Sequence, residues 1–258
     1  MALNSTMTVF SFLFGMILGS FLNVCIYRVP RKRSIVNPPS SCPQCGEGIR
    51  FYDNIPVISY IMLMGRCRNC RQSIPVQYPL VELIAGLLSL SLFTRYGLSS
   101  SYPLYLLFSL SLVVISFIDL QHKIIPDVIS LPGIVCGLAA SIIFGQISWL
   151  DSLIGIIAGG GVLYLIAVIF ERMTGKVGMG GGDIKLLAMI GAWMGWPALP
   201  FVVLISSLTG VIIGSVSLLL SRKGLRTRIP FGPFLAIGAL AYLFFGRELV
   251  SWYFRLLM

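Results

Sequence analysis

Two aspartates stand out because each lies at the edge of a long apolar stretch. Asp119 ends the run "SLSLVVISFID", and Asp183 follows three glycines at the start of "DIKLLAMIGAWMG". Charged groups at a membrane are costly and by default point to function. Two neighbouring carboxylates cannot both ionise cheaply, so they share a proton, and one can activate water while the other donates to a carbonyl. If the two stretches are neighbours, the pair predicts hydrolysis of a peptide bond without a metal or a serine nucleophile.

Each aspartate also has a purely structural interpretation to be weighed. Asp183 and Asp127 both precede apolar helices and are well placed as N-caps, where a carboxylate accepts backbone N–H bonds. The run of Gly180, Gly181 and Gly182 exceeds what a cap needs, and it leaves the backbone open to an extended peptide. Asp119 has no such explanation, because the C-terminal end of its own helix disfavours an anion. Its carboxylate therefore needs a partner elsewhere in the chain.

Four cysteines form a second group with chemical potential. They are arranged as two C-x-x-C pairs, "CPQC" and "CRNC", at positions Cys42, Cys45, Cys67 and Cys70. Thiolates at this spacing can close a tetrahedral site around zinc, and four of them leave no open position for a catalytic water. A cytoplasmic location would keep the thiols reduced, which argues against two disulfides. The pattern predicts a structural zinc-ribbon-like insert.

The elements that must position these residues are membrane helices. The 258 residues have a mean hydropathy of +0.92, with 57% hydrophobic and only 11% charged residues, which indicates a polytopic membrane protein. A span needs roughly 20 apolar residues. Eight stretches are predicted as spans: 8–27, 77–94, 102–118, 128–145, 150–170, 184–197, 199–221 and 231–246. We therefore predict an all-α bundle of about eight transmembrane helices, with residues 28–76 as an insert between the first two.

The distribution of charge predicts the orientation of this bundle. With the N-terminus outside, most of the 19 Lys and Arg residues fall in the loops after the first, third, fifth and seventh spans. Only Arg95, Arg247 and Arg255 remain outside, so the positive-inside rule places the insert and both aspartates at the cytoplasmic face. The net charge of +10 is explained by this topology. It predicts contact with membrane lipid and no nucleic-acid partner.

Glycines spaced four residues apart predict close helix packing. Such pairs let helix backbones approach one another in lipid. They recur along the chain at Gly15 and Gly19, Gly133 and Gly137, Gly155 and Gly159, Gly191 and Gly195, and Gly210 and Gly214. They predict a tight bundle and carry no information about function.

Several segments together resemble the type IV prepilin peptidases, in one order from about residue 15 to 235. Besides the cysteine pairs, the segments are "GSFLNVCIYRVP" (19–30), "NIPVISYIMLMGRCRNC" (54–70), "YPLVEL" (78–83), "IDLQHKIIPD" (118–127) and "GMGGGDIKLLAMIGAWMG" (178–195). The resemblance implies a bacterial inner-membrane aspartic protease of the GxGD class. Such enzymes cut the basic leader from type IV prepilins or pseudopilins after a glycine, on the cytoplasmic side. The catalytic aspartates carried over are Asp119 and Asp183.

The resemblance also implies a second activity. Many members methylate the new N-terminal amine with S-adenosylmethionine, an activity associated with the cysteine insert. The implied organisation is residues 1–27 as the first transmembrane helix, 28–76 as the methyltransferase-associated insert, and 77–258 as the transmembrane peptidase domain. Glu82 matches a family glutamate, and either contact with the methylated amine or helix pairing would explain it. No glycine-rich cofactor loop is visible in 28–76.

Three other readings of the sequence remain open. A transporter would use intramembrane carboxylates to bind ions or protons, but it would place them near the bilayer midplane. A noncatalytic scaffold would use the zinc ribbon to recruit partners and would not need Asp119 or Asp183. A peptidase without methylation would keep the aspartates alone.

Overall fold

The computed structural model describes residues 2–175, 180–220 and 230–257. Within these ranges the chain forms nine α-helices, and its only β-structure is two isolated bridges in the insert. The helices are α1 (Ala2–Arg28), α2 (Ile58–Met62), α3 (Gln77–Tyr96), α4 (Ser101–His122), α5 (Asp127–Phe144), α6 (Trp149–Thr174), α7 (Gly181–Met194), α8 (Leu199–Leu220) and α9 (Gly232–Leu257). The predicted all-α architecture is confirmed, and the eight predicted spans correspond to every helix except α2.

The helices form a multi-pass membrane protein. Six of those described are long and apolar enough to cross a bilayer: α1, α3, α4, α5, α6 and α8. Helix α7 has only 14 residues, and the apolar part of α9 covers Gly232–Gly246. The basic residues predicted in two of the cytoplasmic loops lie outside the described residues: Lys176, Arg222, Lys223, Arg226 and Arg228.

The chain divides into two compact units, Met1–Val114 and Ile115–Met258. In the first unit, α1 lies along α3 at very short range. A Cβ placed on Gly15 would lie 2.5 Å from Ser89 Cβ, and one on Gly19 would lie 2.6 Å from Glu82 Cα. Only glycine fits at both positions, as the four-residue spacing predicted. This contact brings the start of α3 against the end of α1, where the insert begins.

In the second unit, α7 is the central helix. Residues Leu186 to Met194 are all buried, which matches a sequence that is apolar on every face. A Cβ on Gly155 of α6 would overlap Gly191, and one on Gly159 would lie 2.6 Å from Leu187 O. Trp193 Nε1–H donates to Gly133 O of α5 over 2.8 Å. Helices α5 and α6 therefore hold α7 in place by close backbone contact, and they fix the position of its first turn.

Candidate active site

The position of Asp119 is explained by a helix that begins 113 residues later in the chain. Asp119 is 5% exposed, and its Oδ2 accepts a hydrogen bond from Gly232 N–H over 2.9 Å. Gly232 is the first residue of α9, so this carboxylate lies at the positive end of a helix dipole. The unfavourable position at the end of α4 is thereby offset. Asp119 has the partner that the sequence required but did not identify.

A residue with a side chain would not fit at position 232 without moving its neighbours. A Cβ on Gly232 would lie 2.7 Å from Asp119 Oδ2 and 3.3 Å from Ile125 Cδ1. Any side chain would displace the carboxylate or the isoleucine. The signal in the sequence was the Gly-Pro pair at the start of the last span, which is typical of a helix N-terminus.

Asp183 lies in the first turn of α7 and is not its N-cap, which corrects one prediction. The helix begins at Gly181, earlier than predicted, because Gly180 takes the extended N-cap conformation (φ −72°, ψ 136°). Asp183 N–H donates to Gly180 O over 3.2 Å. The carboxylate still lies at the positive end of a helix dipole, and it is available for other contacts.

Ile125 connects the two aspartate-bearing segments. Helix α4 ends at His122, and Lys123 follows it with a φ of 55°; the chain then runs through Ile125 to the start of α5. A Cβ on Gly182 would lie 2.9 Å from Ile125 Cβ, and Gly232 contacts the same side chain. Asp183 also interacts electrostatically with Asp119. The ends of α4 and α7 therefore meet, as the proposed dyad requires.

The glycines before Asp183 leave open space on one side of this pair. Among the described residues, a Cβ on Gly181 would have nothing within 4 Å, and one on Gly180 would have only Asp183 Oδ2, at 3.7 Å. The backbone at Gly180 is extended. An extended peptide could therefore approach the Asp183 carboxylate without meeting a side chain of this turn.

The N-cap prediction for Asp127 is wrong. Pro126 occupies the cap position, and Asp127 is the first helical residue of α5. Its carboxylate accepts two hydrogen bonds from Lys185 Nζ, at 2.7 and 2.8 Å. This exposed pair links the first turns of α5 and α7 beside the dyad. His122 and Lys123, at the end of α4, are both exposed.

The four insert cysteines form the second predicted site. Their Sγ atoms all lie within 4.8 Å of one another, and Cys42 Sγ is 3.9 Å from Cys70 Sγ. Tetrahedral zinc with bonds of about 2.3 Å would separate its sulfurs by about 3.8 Å. Backbone N–H groups of Cys70 and Asn69 lower the pKa of the Cys67 thiol to about 7, which favours a thiolate ligand. The donor set fits a closed structural metal site.

The two cysteine turns have matching backbone structure. The first closes through Gly46 N–H to Cys42 O over 2.9 Å, and the second through Arg71 N–H to Cys67 O over 3.1 Å. Both turn residues have positive φ, 73° at Gly46 and 59° at Arg71. The second turn is pinned to the preceding chain by Arg68, which donates two hydrogen bonds to Asp53 and lowers the pKa of that carboxyl.

Glu82 lies in the first unit, in a pocket formed by the end of α1, the start of α3 and the insert. It is 8% exposed, and its Oε2 accepts a hydrogen bond from Val57 N–H over 2.8 Å. The cavity has a volume of about 590 Å³ and is also lined by Asn23 and by two of the cysteines, Cys42 and Cys67. Glu82 therefore joins α3 to the insert at a cavity of ligand size.

Comparison with known proteins identifies the family of the chain. Residues 13–96 match the bacterial peptidase A24 N-terminal domain, and residues 106–215 match the type IV leader peptidase family. A relative from Aeromonas hydrophila, named a prepilin leader peptidase/N-methyltransferase, is 40% identical over 266 residues, which cover 94% of this chain and 92% of that protein. The chain belongs to the prepilin leader peptidase/N-methyltransferase family. The resemblance stated from the motifs is thereby confirmed.

Other members of the family align over the same extent. A relative of the same name from Pseudomonas aeruginosa is 39% identical, covering 94% of this chain and 92% of its own, and one from Pseudomonas putida is 38% identical. No solved structure matches the chain. The segments that align with family members include both aspartates and all four insert cysteines.

Sequence reasoning missed three contacts of these sites. The bond between Gly232 and Asp119, the ion pair of Lys185 with Asp127 and the burial of Asn23 beside Glu82 each join segments distant in sequence. Hydropathy and spacing identify the elements but not which helix ends meet.

Proposed function

We propose that this protein is a prepilin leader peptidase that also N-methylates its product. The observation that carries the peptidase assignment is the meeting of Asp119 and Asp183 at two helix ends beside Gly232. A buried carboxylate with a backbone donor on one oxygen, next to a second carboxylate, is what acid–base hydrolysis of an amide needs. Family membership supplies the substrate class.

In the proposed reaction the aspartates share one proton. The ionised carboxylate removes a proton from a water molecule, whose oxygen attacks the scissile carbonyl, while the protonated carboxyl donates to the carbonyl oxygen. Collapse of the tetrahedral intermediate returns a proton to the leaving amine. Gly232 N–H keeps Asp119 Oδ2 in a fixed orientation, so we assign Asp119 as the base that positions the water and Asp183 as the acid.

The substrate would be a type IV prepilin or pseudopilin held partly by the membrane. The extended leader would lie along Gly180 and Gly181, where these two residues themselves present no side chain to it. Because both the leader and this face of the protein are basic, bulk charge would not attract the substrate. Local carboxylates and the shared bilayer would do so instead.

The cysteine cluster would hold zinc as a structural ion. Cys42, Cys45, Cys67 and Cys70 would supply four thiolates, and the metal would close an insert that has few buried apolar side chains. The insert contributes one wall of the Glu82 cavity, so the metal would also shape that cavity.

Methylation would take place in the first unit. S-adenosylmethionine supplies an activated methyl group on a sulfonium, so the protein has only to bind the donor and present the amine to it. Asn23 and Glu82 are buried polar groups that line the cavity, and the unpaired Oδ1 of Asn23 together with the carboxylate of Glu82 fits such a donor. The protein would sit in the bacterial inner membrane with its N-terminus periplasmic and both sites cytoplasmic.

The test is mass spectrometry of a purified prepilin incubated with the protein and S-adenosylmethionine in detergent. Wild type should yield a product shortened by the leader, cut after a glycine, and one methyl group heavier than the bare mature chain. Asp119→Asn and Asp183→Asn should each abolish the shortened product. The matched control is Asp127→Asn, a third carboxylate at the same end of the unit but engaged with Lys185.

The outcomes separate the two activities. Shortened product without the methyl increment would leave the peptidase and remove the methyltransferase. Cleavage that persists in both the Asp119 and the Asp183 variants would overturn the dyad and favour a scaffold or transporter.

A further inference from the structure

The cavity around Glu82 is lined by buried polar side chains at the end where α1 meets α3. Three buried polar side chains line it: Asn23 of α1 at 4% exposure, Glu82 of α3 at 8%, and Ser59 of α2, whose hydroxyl is already paired with Tyr52 O. Close packing of α1 on α3 at Gly19 puts Asn23 and Glu82 beneath the insert. Buried polar groups cost free energy unless they are paired, so each needs a partner.

Within the described residues, the side-chain amide of Asn23 has a hydrogen-bond partner for its nitrogen but none for its oxygen. Its Nδ2 donates to Tyr78 O over 3.1 Å, which fixes the orientation of the amide. The opposite atom, Oδ1, is buried and has no hydrogen-bond partner among the described residues. A buried acceptor left in this state costs about 1–3 kcal/mol. Because Asn23 lines the cavity, a ligand with an N–H donor would satisfy it.

Glu82 lines the same cavity and adds a carboxylate to it. Its Oε2 accepts a hydrogen bond from Val57 N–H. Val57 has a φ of 61°, which a β-branched residue rarely adopts. The carboxylate thus fixes the segment of the insert that closes the cavity. A carboxylate removed from water in this way favours a cationic ligand.

We infer that Asn23 and Glu82 are the polar recognition groups of a pocket for S-adenosylmethionine, an inference that rests on the proposed methyltransferase activity. The donor carries a sulfonium cation, an ammonium group and an adenine amino group, which match an anionic, acceptor-rich floor. Tyr27, Tyr60 and Tyr78 line the walls and offer flat apolar faces to a purine. The volume of about 590 Å³ lies in the range for small-molecule sites.

Calorimetric titration of the full-length protein in detergent with S-adenosylmethionine and with S-adenosylhomocysteine tests this inference without a turnover assay. Asn23→Ala should weaken the binding of both compounds about tenfold, because each retains its N–H donors. Glu82→Gln should weaken the cationic donor about tenfold and the uncharged thioether less than about threefold, because only the charge is lost.

The matched control is Ser89→Ala. Ser89 also bonds α3 to α1, through its hydroxyl to Ser11 O over 2.6 Å, but it lies outside the cavity. The Ser89→Ala variant should bind both compounds as wild type does. The size-exclusion profiles of all variants should coincide. Donor binding unchanged in either pocket variant would overturn the inference.

Leader cleavage by the same wild-type preparation separates this inference from the proposed function. Cleavage without any donor binding would overturn the pocket and leave the peptidase standing. Donor binding that depends on Asn23 and Glu82 in a protein that cleaves no prepilin would support the pocket and contradict the peptidase.

Discussion

The cysteine insert and the aspartate site hold their functional groups together in opposite ways. In the insert, two short turns with little apolar burial bring four thiols within 4.8 Å of one another. At the aspartate site, buried helix ends bring Asp119 and Asp183 together around Ile125, and a backbone N–H orients one carboxylate. The first arrangement would be stabilised by the zinc ion proposed for it. The second depends on backbone packing that only glycine permits.

Metal removal should show the largest difference between the two regions. A strong chelator, or Cys67→Ser, should make residues 28–76 sensitive to protease and abolish methylation, because zinc contributes on the order of 10 kcal/mol to folding such a site. Leader cleavage should fall far less, since Asp119 and Asp183 belong to the other compact unit of the chain. Limited proteolysis and product mass would measure both effects.

Cys136→Ser is the matched control, because Cys136 is an exposed thiol on α5 outside the cluster. It should leave protease resistance and metal content unchanged. An insert that stays resistant after the metal is removed would contradict the comparison.

Gly232→Ala should produce the next largest effect, this time on cleavage. The added Cβ would lie 2.7 Å from Asp119 Oδ2 and would displace the carboxylate. Misplacing a catalytic group by about 1 Å can cost about 100-fold in rate, so kcat/KM for leader cleavage should fall by about that factor. Metal content should not change.

Gly161→Ala is the corresponding control, since a Cβ at Gly161 would meet nothing within 4 Å. Its kcat/KM should match that of wild type. If Gly232→Ala were equally active, the backbone of α9 would have no part in holding Asp119.

A smaller effect should distinguish the two cysteine turns from each other. Gly46 and Arg71 occupy equivalent positions with positive φ, but only glycine is unstrained there. Arg71→Gly should therefore tighten zinc binding by about fivefold, equivalent to about 1 kcal/mol, in competition with a chromogenic chelator. Gly46→Arg should weaken it by a similar factor, and equal affinities in all three proteins would show that the turns carry no strain.

The sequence predicted the helices and the cysteine cluster well because local patterns determine them. Apolar length identified eight of the helices, six of which are long and apolar enough to cross a bilayer, and the C-x-x-C spacing was sufficient for four sulfurs to converge. The pairing of Asp119 with Gly232 could not be predicted, because no periodicity states which helix begins beside a given carboxylate. The N-cap predictions for Asp127 and Asp183 were wrong because Pro126 and Gly180 take the cap positions.

The most direct measurement compares kcat/KM for leader cleavage in Asp119→Asn, Asp183→Asn and the double variant. If the two carboxylates act as one unit, each single variant should lose on the order of 10³-fold or more, and the double variant should be no worse than either. Losses that multiply in the double variant, or a single variant that retains activity, would contradict a dyad.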